Sequence, residues 1–343
     1  MEKKSFLRRI LGIRGMRPAL TAFAGLIIIY VAFGLINPMV FSPINLMNLL
    51  RSMSKYLLIG IGQSFVLITA NIDLSIGSVV GMSAMISATL MTKGVPVFAA
   101  CLTAMVCCLV IGVINGILVG KFKLPPFIAT LGTMFVARGV AYMVNGNRNT
   151  DTIASGVGKQ AGDAFQSVLY YGTTLGVFNT FLISLLIFIM FFFFLSKTKS
   201  GRHIYAIGSN VEAAKLSGVN VELTVTKAYL ISAFCAGATG LILCAQAGMG
   251  NMEAGIMYEM YGVAAGVIGG VSPMGGTGIL LGTLAGAAVW QTLENGLSMI
   301  GAQVGIQRVV IGVIVAMAVL LDVIFRNRKK TFKKSGVSSA SKG

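Results

Sequence analysis

Residues 70–80 read ANIDLSIGSVV, and they place a cluster of polar side chains between two long apolar runs. Apolar residues make up 56% of the chain and charged residues only 11%, whereas a soluble domain carries about 25% charged residues. Apolar runs long enough to cross a bilayer recur along the whole chain. Because lipid cannot satisfy backbone N–H and C=O groups, these runs predict an all-α polytopic membrane protein, in which Asp73 needs a specific role.

The apolar runs predict about ten transmembrane helices, with broken or short helices near 70–78 and 261–278. Residues 41–55 read as a separate amphipathic helix on the outer face. The first apolar run lacks a small-residue cleavage site, so it is predicted to be a retained helix and not a signal peptide. The predicted helices lie at about 18–39, 56–71, 75–92, 97–120, 128–144, 179–196, 228–246, 261–271, 278–298 and 306–325.

Basic residues set the predicted topology. Four segments hold most of the 27 Lys and Arg residues, and this positive-inside bias places both termini in the cytoplasm. The net charge of +17 therefore indicates membrane topology and not a nucleic-acid-binding surface. The predicted organisation is a basic cytoplasmic N-terminus at 1–17, a transmembrane domain at 18–325 with a periplasmic loop at 145–178 and a cytoplasmic loop at 196–227, and a basic, disordered cytoplasmic tail at 326–343.

Two stretches interrupt the helical pattern in a similar way. ANIDLSIGS at 70–78 and IGGVSPMGGTG at 268–278 each separate an apolar run from a helix of small residues. Non-helical backbone at membrane depth is tolerated only where protein or water covers it, and paired breaks in two halves of a transporter mark a translocation site. The two stretches are therefore candidate parts of a path.

Ionisable side chains within the apolar runs are few: Asp73, Arg138, Glu294 and Arg308. A carrier driven by protons or sodium needs more such groups, so the sequence argues against one without excluding a facilitator. Asp73 has two interpretations of equal weight, a cap on the helix that starts near Ser75 or a direct role in transport. An Asp73–Arg138 pair stays open.

The chain carries no recognisable catalytic or cofactor motif. It has no Walker A sequence, and its single histidine, His203, lies in a basic loop. Its five cysteines lie in apolar runs without metal-ligand spacing and read as small buried hydrophobes. We therefore expect neither an enzyme, nor a cofactor, nor a metal site.

The internal loop at 196–227 contains a short predicted helix, VEAAKLSG, with Asn210 as its N-cap and Gly218 after its end. A compact Ala213–Ala214 face between defined caps favours docking onto another protein over a simple solvated connector. The residues predicted to couple the chain to that partner are Arg202, His203, Ile204, Tyr205, Asn210, Glu212, Ala213, Ala214, Ser217 and Gly218.

Four segments in order resemble the membrane permease subunit of ribose/galactose-type ABC importers, the bacterial monosaccharide permeases. ANIDLSIGS is similar to the family's Gly-Ile-Asp-Leu-Ser-Val-Gly-Ser signature. The others are PPFIATLGTM at 125–134 followed by ARG at 137–139, GRHIYAIGSNVEAAKLSGVNV at 201–221, and YGVAAGVIGGVSPMGGTGILLGTLAGA at 261–287. The resemblance covers about 20–325, nearly all of the predicted ordered chain.

This resemblance implies an architecture that the residues alone do not. Two copies of the chain, or the chain and a close paralogue, form a pore in the bacterial inner membrane. A separate cytoplasmic ABC ATPase drives import, and a periplasmic sugar-binding protein delivers the solute. The helix around 204–217 passes the motion of the ATPase to the pore.

The sequence departs from the family at the breaks. Ala70 and Asn71 stand where a glycine pair is common, and Val271 and Pro273 replace the usual Thr and Leu. The particular sugar therefore stays open, and a related permease for nucleosides or branched-chain amino acids is the alternative. The residues predicted to line the path or break the helices are Asn71, Asp73, Ser75, Phe127, Thr130, Arg138, Ser272 and Pro273.

Overall fold

The computed structural model describes residues 16–314, 316–317 and 320, and these residues are mostly helical. The predicted tail at 326–343 and nearly all of the predicted N-terminal segment lie outside the described residues. In chain order the α-helices are α1 Met16–Ile36, α2 Pro43–Ile68, α3 Ile76–Thr92, α4 Val97–Gly116, α5 Pro126–Met143, α6 Ala154–Val157, α7 Lys159–Gln166, α8 Asn179–Lys197, α9 Lys199–Ser209, α10 Val211–Leu216, α11 Val221–Ala247, α12 Tyr258–Ile268, α13 Leu280–Met299 and α14 Val304–Ile314.

Short elements join some of these helices. A 3-10 turn, Pro38–Phe41, precedes α2, and a π-helical turn, Ile117–Lys121, prolongs α4. A second π-helical turn, Ser167–Tyr171, leads into a two-stranded antiparallel hairpin. Its strands are β1 Thr173–Thr174 and β2 Val177–Phe178, paired in the register Thr173 with Phe178 and Thr174 with Val177.

Five helices among the described residues are long and apolar enough to span a membrane. Four of them turn most of their apolar side chains outward, as α1 does with Leu35 at 77% exposure, whereas the fifth, α11, is mostly buried. This is the arrangement expected where lipid and not water surrounds the chain. The five spans are Pro18–Ile36, Val97–Lys121, Pro126–Met143, Asn179–Lys197 and Val221–Ala247.

The centre of the fold is made by α2, α3 and α11. Every residue of α2 from Tyr56 to Ile68 is buried, and α3 is buried along almost its whole length. Helix α11 packs against α2, α3 and α4, while α13 packs against α1, α2 and α12. The helices that carry the two sequence breaks are therefore enclosed by the outer, more apolar ones.

Small residues let these helices approach closely. A Cβ added to Gly116 of α4 would lie 2.6 Å from the Cα of Thr226 in α11. A Cβ added to Gly62 of α2 would lie 2.9 Å from the Cα of Ser232, also in α11. Close packing of this kind contributes to helix association in lipid, where no hydrophobic drive brings helices together.

The prediction of a separate amphipathic helix at 41–55 is wrong, because residues 43–55 form the first half of α2. The Ser42 hydroxyl caps the helix by accepting from the N–H of Asn45, and Pro43 occupies the first turn. No proline or glycine follows until Gly60, so nothing stops the helix near residue 55.

The two long predicted loops are largely folded. The segment 145–178 contains α6, α7, a π-helical turn and the hairpin. The segment 196–227 contains α9 and α10, and α11 already begins at Val221 because the Asn220 side chain accepts from the N–H of Leu223.

Candidate functional site

The first break follows the end of α2. The Ala70 N–H donates to the Leu67 carbonyl at 2.9 Å, and the Asn71 N–H donates to the Val66 carbonyl at 3.2 Å. Ala70 adopts a left-handed conformation with φ of 61°. These bonds form a Schellman-type ending, which turns the chain away from the helix axis.

Asp73 then directs the chain into α3. Its Oδ1 accepts from the Ser75 N–H at 2.9 Å and from the Ser75 hydroxyl at 2.6 Å. Its Oδ2 accepts from the Ser232 hydroxyl of α11 at 2.7 Å, and only 2% of the residue is exposed. The contacts agree with the capping interpretation, because the carboxylate bonds the backbone at the start of α3.

The bonds around Asp73 continue into a buried network. Asn115 of α4 donates to the Ser75 hydroxyl at 2.9 Å, and the Thr133 hydroxyl of α5 donates to Asn115 Oδ1 at 2.6 Å. The network thus joins the first break to α4, α5 and α11. Asn115 was not predicted, because a single amide in an apolar run has no distinctive sequence pattern.

The second break, 269–279, follows the end of α12 in the same manner. The Gly270 N–H donates to the Val267 carbonyl at 2.8 Å, and the Val271 N–H donates to the Gly266 carbonyl at 2.9 Å. Gly270 is left-handed, with φ of 84°. The Ser272 hydroxyl then accepts from the Met274 N–H at 3.2 Å, a turn like the one that Asp73 makes.

The two breaks meet in space. The Gly276 N–H of the second break donates to the Ile68 carbonyl at the end of α2, at 2.9 Å. On the neighbouring helices, the hydroxyls of Ser64 and Thr283 share a hydrogen bond of 2.8 Å. The ends of α2 and α12 and the starts of α3 and α13 therefore form one non-helical region.

Helix α9 lies against this region. A Cβ added to Gly208 would lie 2.5 Å from the Gly276 nitrogen and would also overlap the Ile68 carbonyl. The Tyr205 hydroxyl donates to the Gly278 carbonyl at 2.6 Å. Burial raises the pKa of Tyr205 to about 12, so this donor keeps its proton at neutral pH. One helix of the predicted coupling segment thus contacts both breaks.

The predicted coupling residues divide by exposure. Asn210 Oδ1 accepts from the Ala213 N–H at 2.9 Å, which confirms the predicted cap. Ala213 is exposed but Ala214 is buried, so the two alanines do not form one outer face. The exposed members are Arg202, Asn210, Glu212, Ala213, Ser217 and Gly218; His203 and Tyr205 are half-buried, and Ile204 and Ala214 are buried.

Two apolar side chains on α10 were not predicted as part of this surface. Leu216 is 89% exposed and Val211 is 42% exposed. Their exposure beside Glu212 and Lys215 could not be predicted from the sequence. The pattern of one short helix does not reveal which of its faces the neighbouring helices cover. The two apolar side chains give α10 an exposed surface on which apolar and charged side chains alternate.

Arg138 of α5 bonds to backbone carbonyls and not to Asp73. Its Nη1 donates to the carbonyls of Met252 and Ala254, both at 2.9 Å, and its Nη2 donates to the Gly77 carbonyl at 3.4 Å. Asp73 bonds to hydroxyls and a backbone N–H instead. Arg138 therefore holds the non-helical stretch before α12 against α3.

The remaining predicted path residues do not gather at one point. Thr130 and Ser272 are fully buried, and the Thr130 hydroxyl donates to the Pro126 carbonyl of its own helix. Phe127 is 57% exposed on α5, Pro273 is exposed and Asn71 is half-buried. Their role in a path stays a prediction.

Glu294 and Arg308, the other ionisable groups of the apolar runs, lie elsewhere. The Tyr56 hydroxyl donates to Glu294 at 2.7 Å, and Arg308 reaches the Tyr261 hydroxyl at 3.4 Å. Within the described part of the chain, no group of His, Cys, Asp and Glu side chains could hold a metal ion.

A family model described as "Branched-chain amino acid transport system / permease component" matches residues 45–319. The ribose import permease protein RbsC of Haemophilus influenzae is 35% identical over 301 residues, which cover 88% of this chain and 92% of that protein. RbsC of Bacillus subtilis is 37% identical, covering 90% of this chain and 94% of that protein.

The D-allose transport system permease protein AlsC of Escherichia coli is 33% identical, covering 87% of this chain and 89% of that protein. No solved structure matches the chain. The matches span both breaks and the segment between them, and the apolar helices agree with them. The chain therefore belongs to this family of transport-system permease components and is a multi-pass inner-membrane protein.

Proposed function

We propose that this chain is the transmembrane subunit of an ATP-driven importer and forms the translocation path for a monosaccharide. A periplasmic binding protein delivers the sugar, and a separate cytoplasmic ABC ATPase supplies the energy. The relatives named for ribose and allose support the solute class, as does the galactose/methyl galactoside import permease protein MglC of Escherichia coli, 33% identical over 86% of this chain.

The contact of α9 with both breaks carries the mechanism. Gly208 lies against the Ile68 carbonyl and Gly276, and Tyr205 bonds Gly278. A partner that moves α9 would act directly on the region where two pairs of helices lose their regular backbone. Such regions change shape at low cost, because few regular helix bonds must break.

The exposed surface of α10 is the proposed contact with the ATPase. Leu216 and Val211 supply exposed apolar side chains, and Glu212 and Lys215 supply exposed charges between them around the helix. Protein interfaces combine apolar contacts with polar and charged ones. The Asn210 cap fixes the direction in which this short helix leaves α9.

The proposed topology has about ten membrane crossings with both termini in the cytoplasm. Helices α1, α2, α3, α4, α5, α8, α11, α12, α13 and α14 make the crossings, the short ones ending or starting at the breaks. The segment 145–178 is periplasmic, and α9 and α10 are cytoplasmic. Two copies, or a copy and a close paralogue, enclose the path, and lipid surrounds them.

The family description favours one alternative solute, branched-chain amino acids. A nucleoside permease of the same organisation is a further alternative. A facilitator without an ATPase is less well supported, because it has no use for the exposed α10 surface. The path itself is proposed to pass the breaks near Asn71 and Pro273.

The function is tested by solute uptake in proteoliposomes that contain the chain, its cognate ATPase and its binding protein. We expect ATP-dependent uptake of a radiolabelled monosaccharide that also requires the binding protein. Uptake of leucine or a nucleoside alone would transfer the assignment to the alternative solute. Uptake indifferent to ATP and to the binding protein would contradict the importer.

The docking surface is tested by Leu216→Asp. Because the side chain is 89% exposed, the change leaves the fold intact, and we expect ATPase co-purification to fall at least about tenfold. Leu175→Asp is the matched control, since Leu175 is 95% exposed at the tip of the hairpin. Equal ATPase retention by both variants would exclude α10 as the contact.

A further inference from the structure

Glu259, at the start of α12, is an acidic residue that the sequence analysis did not single out. It lies in the first turn of the helix, where the helix dipole favours a negative charge. The residue is only half-buried, and its neighbours Ile256 and Met260 are 48% and 50% exposed. An ionisable residue among the apolar helices of a membrane protein is a default candidate for a functional site.

Glycines of α3 make room for this carboxylate and for Arg138. A Cβ on Gly77 would overlap the Glu259 carboxylate, and a Cβ on Gly81 would lie 2.6 Å from Arg138 Nη1. The same Cβ would lie 2.6 Å from the Ala254 carbonyl. One turn of α3 thus forms a notch that receives an arginine from α5 and a glutamate from α12.

The two charges in this notch attract each other without a direct ion pair. Each acts electrostatically on the other, but within the described chain no salt bridge joins Arg138 to Glu259. The Arg138 guanidinium carries five N–H donors. Three of these donors bond to the carbonyls of Met252, Ala254 and Gly77. The remaining N–H groups of the guanidinium can therefore bond to another molecule.

The carboxylate of Glu259 has unused capacity as well. Its only hydrogen-bond donor within the described residues is its own backbone N–H. A carboxylate with about four acceptor sites therefore lies near a guanidinium with spare donors. A hydroxyl group both donates and accepts, so neighbouring hydroxyls of a sugar would bond to both side chains at once.

We propose that Arg138 and Glu259 form a contact site for the hydroxyl groups of the transported solute. This inference rests on the proposed function and adds the residues that meet the solute. Arg138 and Glu259 are both partly exposed in the single chain, which suits a path enclosed between two copies. Arg138 is held by three carbonyls, so it presents its remaining donors in a fixed orientation.

The test compares wild type with Glu259→Gln in the reconstituted importer, using the transported sugar and its monodeoxy analogues. We expect Glu259→Gln to slow uptake of the sugar at least about tenfold, the value of one hydrogen bond to a charged group. The monodeoxy analogue that lacks the contacted hydroxyl cannot bond to Glu259 in either protein. For this analogue we therefore expect the ratio of the wild-type uptake rate to the Glu259→Gln uptake rate to fall towards one. The binding protein is the same in both, so its preferences cancel in this ratio.

Glu253→Gln is the matched control, because Glu253 lies on the same stretch of chain but is exposed and does not border Gly77. We expect its uptake to stay within about twofold of wild type. The proposal would be overturned if the ratio of wild-type to Glu259→Gln uptake were the same for the sugar and all its analogues. It would also be overturned if Glu253→Gln and Glu259→Gln slowed uptake equally. Wild-type uptake that still needs ATP and the binding protein would leave the importer function standing.

A second measurement does not depend on transport. In Glu259→Cys, a small hydrophilic thiol reagent should label the new cysteine, and saturating sugar in the assembled importer should slow labelling at least about tenfold. The unaltered chain, with its five native cysteines, sets the background. Labelling that is absent, or unaffected by sugar, would show that Glu259 lies away from the solute.

Discussion

The two helix breaks end their first helices with the same hydrogen bonds and then differ. Ala70 and Gly270 are both left-handed, and each is followed by a residue whose N–H returns to the last turn. After that point the first break relies on side chains, with Asp73 at its centre. The second break has the Ser272 hydroxyl in place of a carboxylate, and it adds three left-handed glycines, Gly275, Gly276 and Gly278.

The difference follows from what surrounds each break. Asp73 is enclosed by α3 and α11, so the buried Ser75 N–H of this break finds its acceptor in the Asp73 carboxylate. Pro273 and Met274 of the second break are exposed, Met274 at 84%, and backbone there is open to solvent or to a partner. A buried break needs a side-chain acceptor for its backbone N–H groups. An exposed break needs only residues that can adopt the turn conformation, because water or a partner can accept its N–H groups.

A substitution of Asp73 tests the difference between the two breaks most directly. Asp73→Ala removes the acceptor of the Ser75 and Ser232 hydroxyls and of a backbone N–H, all of them buried. We expect the free energy of unfolding to fall by about 3 kcal/mol or more, because several donors lose their partner. Unfolding in mixed micelles, followed by fluorescence of the single tryptophan, Trp290, measures it.

Ser272→Ala is the matched change in the second break, where a hydroxyl accepts from the Met274 N–H. We expect a smaller loss than for Asp73→Ala, because the acceptor removed is a neutral hydroxyl and not a buried carboxylate. Asp73→Asn, which keeps an acceptor oxygen, should lie between the two. Equal losses for Asp73→Ala and Ser272→Ala would show that the two breaks do not differ in the way described.

The junction of the breaks with α9 gives the next effect. In Gly208→Ala the new methyl group overlaps the Ile68 carbonyl and forces α9 away from both breaks. Overpacking of this kind costs about 1–3 kcal/mol. We expect a stable protein that retains the ATPase and hydrolyses ATP, but whose uptake is reduced at least about tenfold because α9 no longer touches the second break.

Gly25→Ala is the control for this change, since Gly25 lies in α1 with nothing within 4 Å of an added Cβ. Its uptake should equal that of wild type. Normal uptake by Gly208→Ala would mean that the contact between α9 and the breaks does not transmit motion.

The sequence predicted what is local. Both breaks, the Asn210 cap and the helices that surround them follow from apolar runs, turn residues and capping side chains. The contact of Gly276 with Ile68 did not follow, because residues so far apart in the chain leave no mark of their proximity in a single sequence. Glu259 was missed for a related reason: it precedes the apolar run, and only the packing of the folded chain brings it against Gly77 of α3.

The smallest predicted effect concerns Ala70, the position at which the first break lacks the glycine of the second. Ala70→Gly removes a side chain from a left-handed residue, where a Cβ costs about 1–2 kcal/mol, and the extra freedom of glycine in the unfolded chain offsets about 0.5–1 kcal/mol of the gain. We expect the free energy of unfolding to rise by up to about 1 kcal/mol.

The control is Ala32→Gly, in the exposed middle of α1. It should lower the free energy of unfolding by about 1 kcal/mol, since glycine weakens a helix interior. Opposite signs for the two variants would establish that the left-handed geometry is common to both breaks. A loss at Ala70 would mean instead that its methyl group, packed against Gly275, stabilises the contact between them by more than the strain it causes.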